Sequence, residues 1–291
     1  FVDIPGVASD MKREQVVSVL SALREVDGLV HVVRWFDSPS APPHPRGALD
    51  PRRDIAEIEA ELCVADLDIV ERRMEKLEKQ IGRGQEVDKS RRELGLMERL
   101  KTALEGGGRI GAQNLTQEES ALLRAYQFLS EKPMFYVLNV HEDALHRPET
   151  KALAESLGPN TVIIAARVEK EIAELEPSER AEFLQGLGIG EPAAHRVIRA
   201  GYAAIGLRSF LTQGDPEVRA WTIRAGDTAL AAAGKIHSDI ARGFIRAEVT
   251  AWRDFEKHGS MKEARNQGCQ RLEGKEYVME DGDIVLFRFK V

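Results

Sequence analysis

Two residues near the start of the chain, Asp3 and Gly6, stand at a spacing that could serve a metal ion and a phosphate group. They form an Asp-x-x-Gly pattern after the apolar residues Phe1 and Val2, and we expect a strand that ends at this pattern. A carboxylate there can reach Mg²⁺ through water, and glycine lets a backbone N–H approach a terminal phosphate. Because so short a pattern also arises by chance, a strand followed by a Pro-Gly turn is the other interpretation.

A second set of polar residues, Asn139-Val140-His141-Glu142, follows the apolar run at 134–138, which we predict to be a buried strand. GTPases carry Asn-Lys-x-Asp at such a strand end, where the Asn orients the nucleotide loops and the Asp accepts hydrogen bonds from guanine. Val140 and Glu142 replace the Lys and the Asp, so guanine selectivity is not expected and adenine is freer to bind. Asn139 is also a common turn residue after a strand, which is the alternative interpretation.

Two further candidates follow predicted strands. His44 lies in a proline-rich loop at 36–50, and ligands of α/β proteins bind at the carboxyl edge of the sheet, where such loops start. The alternative is an exposed loop histidine. Ala165 and Ala166 follow the predicted strand 161–164, at a place where GTPases often have Ser-Ala-Lys, whose backbone contacts the base.

The elements that must position these residues alternate between helix and strand. Ser9 or Asp10 can cap a helix whose apolar residues recur at helical spacing through Leu23, and the β-branched run at 29–33 then suits a strand buried on both faces. Further helices are predicted near 169–175, 178–185 and 193–204. This alternation predicts a parallel sheet with helices on its faces.

A helical block is predicted between two of these strands. Apolar residues mark one face of long helices at 55–79 and 89–104, with a glycine-containing break between them, which predicts an antiparallel coiled-coil hairpin. Thr116 opens a capping box with Glu119, so a third helix is expected through about Leu129. The dense charge of the hairpin suits a solvated face, and docking of a partner is the alternative.

The last part of the chain changes to short strands around one helix. We predict a hairpin from 209–212 and 218–223, a helix at 229–236, and strands at 245–252 and 284–289. This pattern predicts a compact α+β domain of the β-grasp type. Lys235, Arg242 and Arg246, with Phe244 and Trp221 nearby, could contact RNA, the alternative being ordinary solvated charge.

Composition sets the broad class. The 291 residues are 43% hydrophobic and 31% charged, with no apolar run of membrane-spanning length, which predicts a soluble globular protein. The net charge of −7 argues against a surface that binds polyanions everywhere. The part from Gly206 onward is nearly neutral, and we expect any nucleic-acid contact there. The two cysteines, Cys63 and Cys269, lack metal-ligand spacing, and a reducing cytoplasm fits them.

Read in order, these patterns resemble one family, the YchF-type Obg-like ATPases, which are members of the P-loop GTPase class that prefer ATP. The resemblance spans the whole chain and is carried by residues 1–6, 24–34, 50–55, 139–142, 218–223, 243–249, 272–277 and 281–289. The motifs in the last part of the chain are the most specific ones.

The resemblance implies an α/β fold: a P-loop nucleotide hydrolase sheet, an inserted helical coiled-coil domain and a C-terminal β-grasp (TGS) domain. The implied boundaries are 1–54 and 133–205 for the nucleotide-binding domain, 55–132 for the helical domain and 206–291 for the TGS domain. The implied function is a ribosome-associated ATPase that hydrolyses ATP, and GTP less well, as a conformational switch. Mg²⁺ and K⁺ are the implied ions, and the ribosome and its RNA the implied partners.

The resemblance also implies roles for individual residues. Asp3 would assist Mg²⁺ through water and Gly6 would meet the γ-phosphate, while Val7 stands where other GTPases have a water-orienting Gln. The family loop His-Val-x-Gly-x-Val-Asp-Pro aligns with residues 44–51, which makes His44 a candidate catalytic residue that positions water. Asn139, Val140, Glu142, Ala165 and Ala166 would form the nucleotide-base site.

Three departures from the family pattern stand in this sequence. A phosphate-binding loop of the form Gly-x-x-x-x-Gly-Lys-Ser/Thr occurs nowhere in it, and we expect that loop upstream of Phe1. The glycine-rich segment that normally follows Asp-x-x-Gly is replaced by residues 8–13, and Ala165 replaces a frequent Ser.

Two rival functions stay open. The first is a ribosome or RNA adaptor without catalysis, in which the nucleotide-binding fold is only a scaffold. The second is a true GTPase, which the replacements at Val140 and Glu142 disfavour. For the ATPase and for both rivals we expect a cytoplasmic monomer that contacts neither DNA nor a membrane.

Overall fold

A computed structural model describes residues 1–4, 13–39, 41–44, 47–214 and 217–290 of the chain. The chain divides into two compact units, Phe1–Gly201 and Tyr202–Val291. The finer domain boundaries at 54/55, 132/133 and 205/206 stay predictions. Among the described residues, none of the helices combines the length and the apolar character that a membrane span requires.

The first unit contains a parallel sheet, as predicted. Its strands are β1 Leu29–Trp35, β2 Met134–Val140 and β3 Val162–Ile164, in the order β1-β2-β3. Leu29 pairs with Met134 and Trp35 with Val140, so β1 and β2 run side by side over their full length. β2 lies between the other two strands and is buried along most of its length because helices pack on the sheet, which explains its continuous apolar sequence.

Helices cover this sheet and extend away from it. They are α1 Arg13–Glu25, α2 Pro51–Gly82, α3 Val87–Glu105, α4 Gln117–Leu123, α5 Pro148–Leu157, α6 Ala166–Glu174, α7 Pro177–Gly186 and α8 Ala193–Ala204, which crosses into the second unit. The sequence patterns predicted all of them except α5. That helix is short and begins with Pro148, which suits the first helical position but also suits a turn.

The two long helices predicted at 55–79 and 89–104 are confirmed. α2 and α3 form an antiparallel pair around buried apolar residues such as Leu77, Met97 and Leu100. α2 starts earlier than predicted because the Oδ1 of Asp50 accepts hydrogen bonds from the backbone N–H groups of Arg52 and Arg53, both at 3.1 Å.

A buried ion pair joins the two helices of this pair. Arg73 on α2 donates two hydrogen bonds, of 2.7 and 2.8 Å, to the carboxylate of Glu93 on α3, and the hydroxyl of Tyr126 donates a third. Burial alone would raise the pKa of Glu93, but these hydrogen bonds lower it below its ordinary value. The carboxylate therefore stays ionised while only 6% exposed.

The third helix of the block is shorter than predicted. α4 ends at Leu123 instead of reaching Leu129, and Gln127 has a left-handed backbone with φ of 50°. The backbone N–H groups of Leu129 and Ser130 bond the carboxylate of Asp66 on α2, at 3.0 and 2.7 Å, instead of helix carbonyls. The capping box at Thr116 and Glu119 is present.

The start of the chain differs from the prediction. Residues 1–4 pair with no described strand, and Phe1 and Val2 are 81% and 71% exposed. A strand requires ladder hydrogen bonds to a neighbour, and these residues have none. The ring of Phe1 instead lies over Gly201 of α8, where an added Cβ would come within 3.1 Å of it.

The second unit has a mixed five-stranded sheet with helices on it. The strands are β4 Leu207–Gln213, β5 Val218–Arg224, β6 Phe244–Ala251, β7 Arg271–Glu273 and β8 Asp283–Phe289, in the order β5-β4-β8-β6-β7. The helices that follow α8 are α9 Ala229–Ile236, α10 Ser238–Arg242, α11 Trp252–His258 and α12 Met261–Asn266. Among the described strands of this unit, β4 and β8 pair in parallel and the other pairs are antiparallel. The predicted hairpin of β4 and β5 is confirmed.

The core of this unit lies between one face of the sheet and α9. Alanines of α9 pack against Phe210, Ala247 and Phe287 of the sheet. The strand predicted to reach Trp252 ends at Ala251, because Trp252 begins α11. β7, α10, α11 and α12 were not predicted, since each is too short to show a periodic pattern.

Candidate functional site

The strands of the first unit end at one edge. Trp35 lies beside Val140, and Asn139 lies beside Ile164, so the loops after β1, β2 and β3 start next to one another. This carboxyl edge is where open α/β sheets bind ligands. The candidates Asn139, Ala165 and Ala166 all lie on it.

Asn139 joins two of these loops. Its side-chain Oδ1 accepts a hydrogen bond from the backbone N–H of Ala166, the first residue of α6, at 3.1 Å. Ala165 is the N-cap of α6 and has no side chain that can cap it, so the amide of Asn139 takes over that task from the neighbouring strand. The structure thus brings together three residues that the sequence had assigned to one site.

Val140 and Glu142 are placed differently from one another. Val140 is 3% exposed and belongs to the core of the first unit, so only its backbone can face a ligand at this edge. Glu142 is exposed and opens a short 3₁₀ turn, Glu142–Ala144. Glu142 thus stands at the position where GTPases carry the Asp that accepts from both guanine donors.

Of the three residues predicted at the phosphate side of the site, the structure describes one. Asp3 is exposed in the segment 1–4, whereas Gly6 and Val7 lie outside the described residues. An exposed carboxylate oxygen is the kind of ligand that Mg²⁺ accepts, directly or through water. Asp3 is therefore chemically suited to the metal role that the sequence predicts for it.

His44 is held by a partner that the sequence analysis did not identify. Its Nε2 lies 3.0 Å from Oδ2 of Asp54 in the first turn of α2, and the two side chains are 12% and 17% exposed. Arg53 donates to the other oxygen of Asp54, at 3.2 and 2.9 Å, and also to the carbonyl of Ala48. His44 is thus fixed to the start of α2 and is not the exposed loop histidine of the alternative interpretation. The sequence does show an acidic residue, Asp54, in the first turn after the Asp50-Pro51 helix start, and this could have marked it as a partner for the loop.

A second histidine lies in the same layer between the sheet and α2. His31 on β1 has a buried Nδ1 without a hydrogen-bond partner among the described residues, and its ring lies 6.2 Å from that of Tyr136. The Tyr136 hydroxyl donates to Glu59 of α2 at 2.5 Å. Burial lowers the pKa of His31 from its ordinary value of 6.5, although Glu59 and Asp54 oppose this.

The lowered pKa of His31 predicts acid sensitivity of the first unit. Below pH 6.5 the unfolded chain binds a proton at this residue that the folded chain does not, so unfolding becomes easier as pH falls. We expect the urea midpoint of the wild-type chain to drop as the pH falls below about 6.5, and the drop to be smaller in His31→Gln. An equal pH dependence in both proteins would show that His31 is not the group responsible.

The candidate RNA-contact residues do not share one face. Lys235 is exposed in the last turn of α9, and Arg242 ends α10, where it pairs with Asp239 at 3.2 Å. Both helices pack on the core-facing side of the sheet, the side on which Ala247 lies. Arg246 precedes Ala247 in β6 and therefore points to the opposite face.

Comparisons with known proteins agree with this architecture. A family model, YchF-GTPase_C, described as a protein of unknown function (DUF933), matches residues 207–290. The chain is 42% identical over 297 residues to the ribosome-binding ATPase YchF of Haemophilus influenzae, which covers 100% of this chain and 81% of that protein. It is 34% identical over 300 residues to the Obg-like ATPase 1 of Gallus gallus, covering 99% of this chain and 75% of that protein.

A solved structure shares the fold. The YchF GTPase of Schizosaccharomyces pombe matches with a TM-score of 0.77 and 29% sequence identity, over 93% of this chain and 74% of that one. The predicted α/β class, with a parallel sheet and a second, mixed sheet, is confirmed by this match and by the observed topology.

Proposed function

Because the chain belongs to the YchF family, we propose that it is a ribosome-associated ATPase that hydrolyses ATP, and GTP less well, as a conformational switch. Relatives that it matches over its full length are named ribosome-binding ATPases. The proposal assigns the nucleotide to the carboxyl edge of the β1-β2-β3 sheet.

One observation carries the assignment: the hydrogen bond from the Ala166 N–H to Asn139. It holds the loop after β2 against the start of α6, so that a flat group such as adenine can lie between backbone segments whose spacing is set. Val140 and Glu142 replace the Lys and the Asp of the guanine-reading pattern of GTPases, which supports ATP over GTP.

The remaining roles follow the sequence prediction. Asp3 would hold Mg²⁺ through water, Gly6 would offer its backbone N–H to the γ-phosphate, and Val7 leaves the positioning of water to another residue. When bound, Mg²⁺ supplies positive charge to the phosphates, and K⁺ is proposed as a second ion. We assign the positioning of water to His44, whose imidazole Asp54 holds at 3.0 Å.

This role of His44 makes a prediction about rate and affinity. Replacing His44 with alanine should lower the ATP turnover number by about 10²-fold, the lower end of what a positioned acid–base group contributes. The dissociation constant for ATP should stay within about twofold of the wild-type value, because His44 is not among the residues proposed to contact the adenine. His195→Ala, at an exposed position on α8, is the matched control and should leave both unchanged. Equal turnover in the His44 and His195 variants would remove His44 from the mechanism.

For the ribosome we propose contacts from the second unit, with Lys235 and Arg242 touching RNA. Both side chains are exposed on neighbouring helices, where they can reach phosphates. We further propose a cytoplasmic monomer without DNA or membrane partners. Charge contacts of this kind predict ribosome binding that weakens as salt rises.

A second candidate function is an adaptor that binds the ribosome without catalysis. It is favoured by one sequence observation, the replacement of the glycine-rich segment that normally follows Asp-x-x-Gly by residues 8–13. Co-sedimentation with ribosomes in ATP, in ADP and without nucleotide separates the two. Binding that changes with the nucleotide supports the switch, and binding that is the same in all three conditions supports the adaptor. A true GTPase would respond to GTP in preference to ATP.

A further inference from the structure

The sheet of the second unit has one face that no helix fully covers. Along β6 and β8 the residues alternate, so that Ala247, Val249, Val285 and Phe287 enter the core with α9. Their neighbours, including Arg246, Glu248, Leu286 and Arg288, therefore lie on the other side, which we call the outer face.

Two exposed leucines lie on the outer face in one row. Leu272 of β7 and Leu286 of β8 are both paired with Glu248 of β6, one on either side of it. They are 61% and 43% exposed, although β-strand leucines usually lie in a core. Since neighbouring strands are about 4.8 Å apart, the two leucines stand about 10 Å apart across the sheet.

Two arginines form the next row. Arg246 pairs directly with Arg288, and like charges opposite one another destabilise a sheet unless an anion lies near them. The acidic residue of the cluster, Glu248, is 5% exposed and already engaged: Arg288 donates to it at 2.8 and 3.1 Å, and Arg265 of α12 lies 3.6 Å away. The hydrogen bonds from Arg288 are the largest cause that lowers the pKa of Glu248, and the charges of the neighbouring arginines act in the same direction, so the carboxylate stays ionised.

The engaged Glu248 has two effects on this face. It fixes the guanidinium of Arg288 in a forked geometry, so that the donors that remain are already oriented. It also leaves three arginines around one carboxylate, and the cluster presents net positive charge beside two exposed leucines. A ligand with apolar side chains flanked by carboxylates would complement both rows.

From this arrangement we propose that the outer face of the β6-β7-β8 sheet docks an acidic amphipathic helix of a partner protein, with two apolar side chains on Leu272 and Leu286 and carboxylates on Arg246 and Arg288. Residues i and i+7 of a helix are about 10.5 Å apart, which matches the spacing of the two leucines. The helix would thus lie across the strands, and acidic residues on one flank would meet the arginine row. This inference goes beyond nucleotide hydrolysis and does not depend on it.

Nucleic acid fits the same cluster less well. Surfaces that bind single-stranded RNA or DNA offer aromatic rings on which bases stack, and the apolar residues between these arginines are aliphatic. Trp221 packs with the core on the other face of the sheet. RNA is accordingly an outcome of the test and not part of the proposal.

The test uses the full chain without nucleotide and two fluorescent peptides. The probe is a helical peptide of roughly 18 residues with leucines seven positions apart and glutamates on one flank; its partner has lysines in place of the glutamates. Binding is measured by fluorescence anisotropy for wild type, Arg246→Glu and Leu272→Asp. The matched control is Arg224→Glu, on β5 opposite Leu207 and far from Arg246 on the same face. Circular dichroism establishes that each variant is folded.

We expect the acidic peptide to bind the wild type and the Arg224 control alike, and to bind Arg246→Glu and Leu272→Asp at least about tenfold more weakly. The lysine peptide should regain affinity for Arg246→Glu. Equal binding of the acidic peptide to wild type and both variants would overturn the proposal. So would binding of a single-stranded RNA oligonucleotide that falls in Arg246→Glu while the acidic peptide binds none of the proteins.

Discussion

Replacing Asp66 with alanine is expected to lower the free energy of unfolding of the first unit by about 3–5 kcal/mol. Asp66 is 0% exposed and accepts four hydrogen bonds, from Arg24, from the backbone N–H groups of Leu129 and Ser130, and from the Ser130 hydroxyl. Alanine removes the acceptor and leaves the two buried backbone amides unsatisfied, at a cost of about 1–3 kcal/mol each. The Arg24 guanidinium loses its ion-pair partner, although it keeps hydrogen bonds to the carbonyls of Ala65 and Gln127.

Urea unfolding followed by circular dichroism measures this loss. Asp68→Ala is the control, because Asp68 lies on the same helix with a side chain 58% exposed and pairs with Arg72 at the surface. That change should cost no more than about 1 kcal/mol. Hydrogen exchange adds a local readout, since the amides of Leu129 and Ser130 should exchange faster in Asp66→Ala. Similar stabilities of the two variants would mean that the Asp66 network does not anchor this segment.

The second large effect is expected at the nucleotide. Asn139→Ala should weaken ATP binding at least about tenfold, because the Ala166 N–H loses its acceptor and the two base loops are no longer joined. The fold should persist, since Asn139 lies at the end of β2 and its ladder pairs with Arg34 and Ile164 involve the backbone.

Isothermal titration of ATP with Mg²⁺ present measures the change. Asn114→Ala is the matched control, since Asn114 is exposed in a loop of the helical block and should bind ATP as the wild type does. If the Asn139 variant kept the affinity of the wild type, the base site would have to be placed elsewhere.

Patterns that depend on neighbouring residues were predictable from sequence. The β-branched and apolar runs gave β1, β2 and β3, and the alternation of strands with helices gave the parallel sheet. The long apolar faces of α2 and α3 gave the helical pair. Each of these signals repeats over many residues, so chance agreement is small.

Contacts between distant residues were not predictable in the same way. Asn139 and Ala166 were both candidates, but the sequence does not state that one bonds the other. Asp66 stops the third helix short because it captures the amides of Leu129 and Ser130, a tertiary effect that overrides the local helical pattern. The contact of Asp54 with His44 was not predicted, since His44 lies in an irregular loop whose path the sequence pattern does not determine.

The most direct test of the central claim is equilibrium binding of labelled ATP and GTP to the purified chain, with Mg²⁺ and K⁺ present and each nucleotide competed against the other. We expect ATP to bind and GTP to displace it only weakly, because Glu142 replaces the Asp with which GTPases recognise guanine. Preference for GTP, or binding of neither nucleotide, would contradict it.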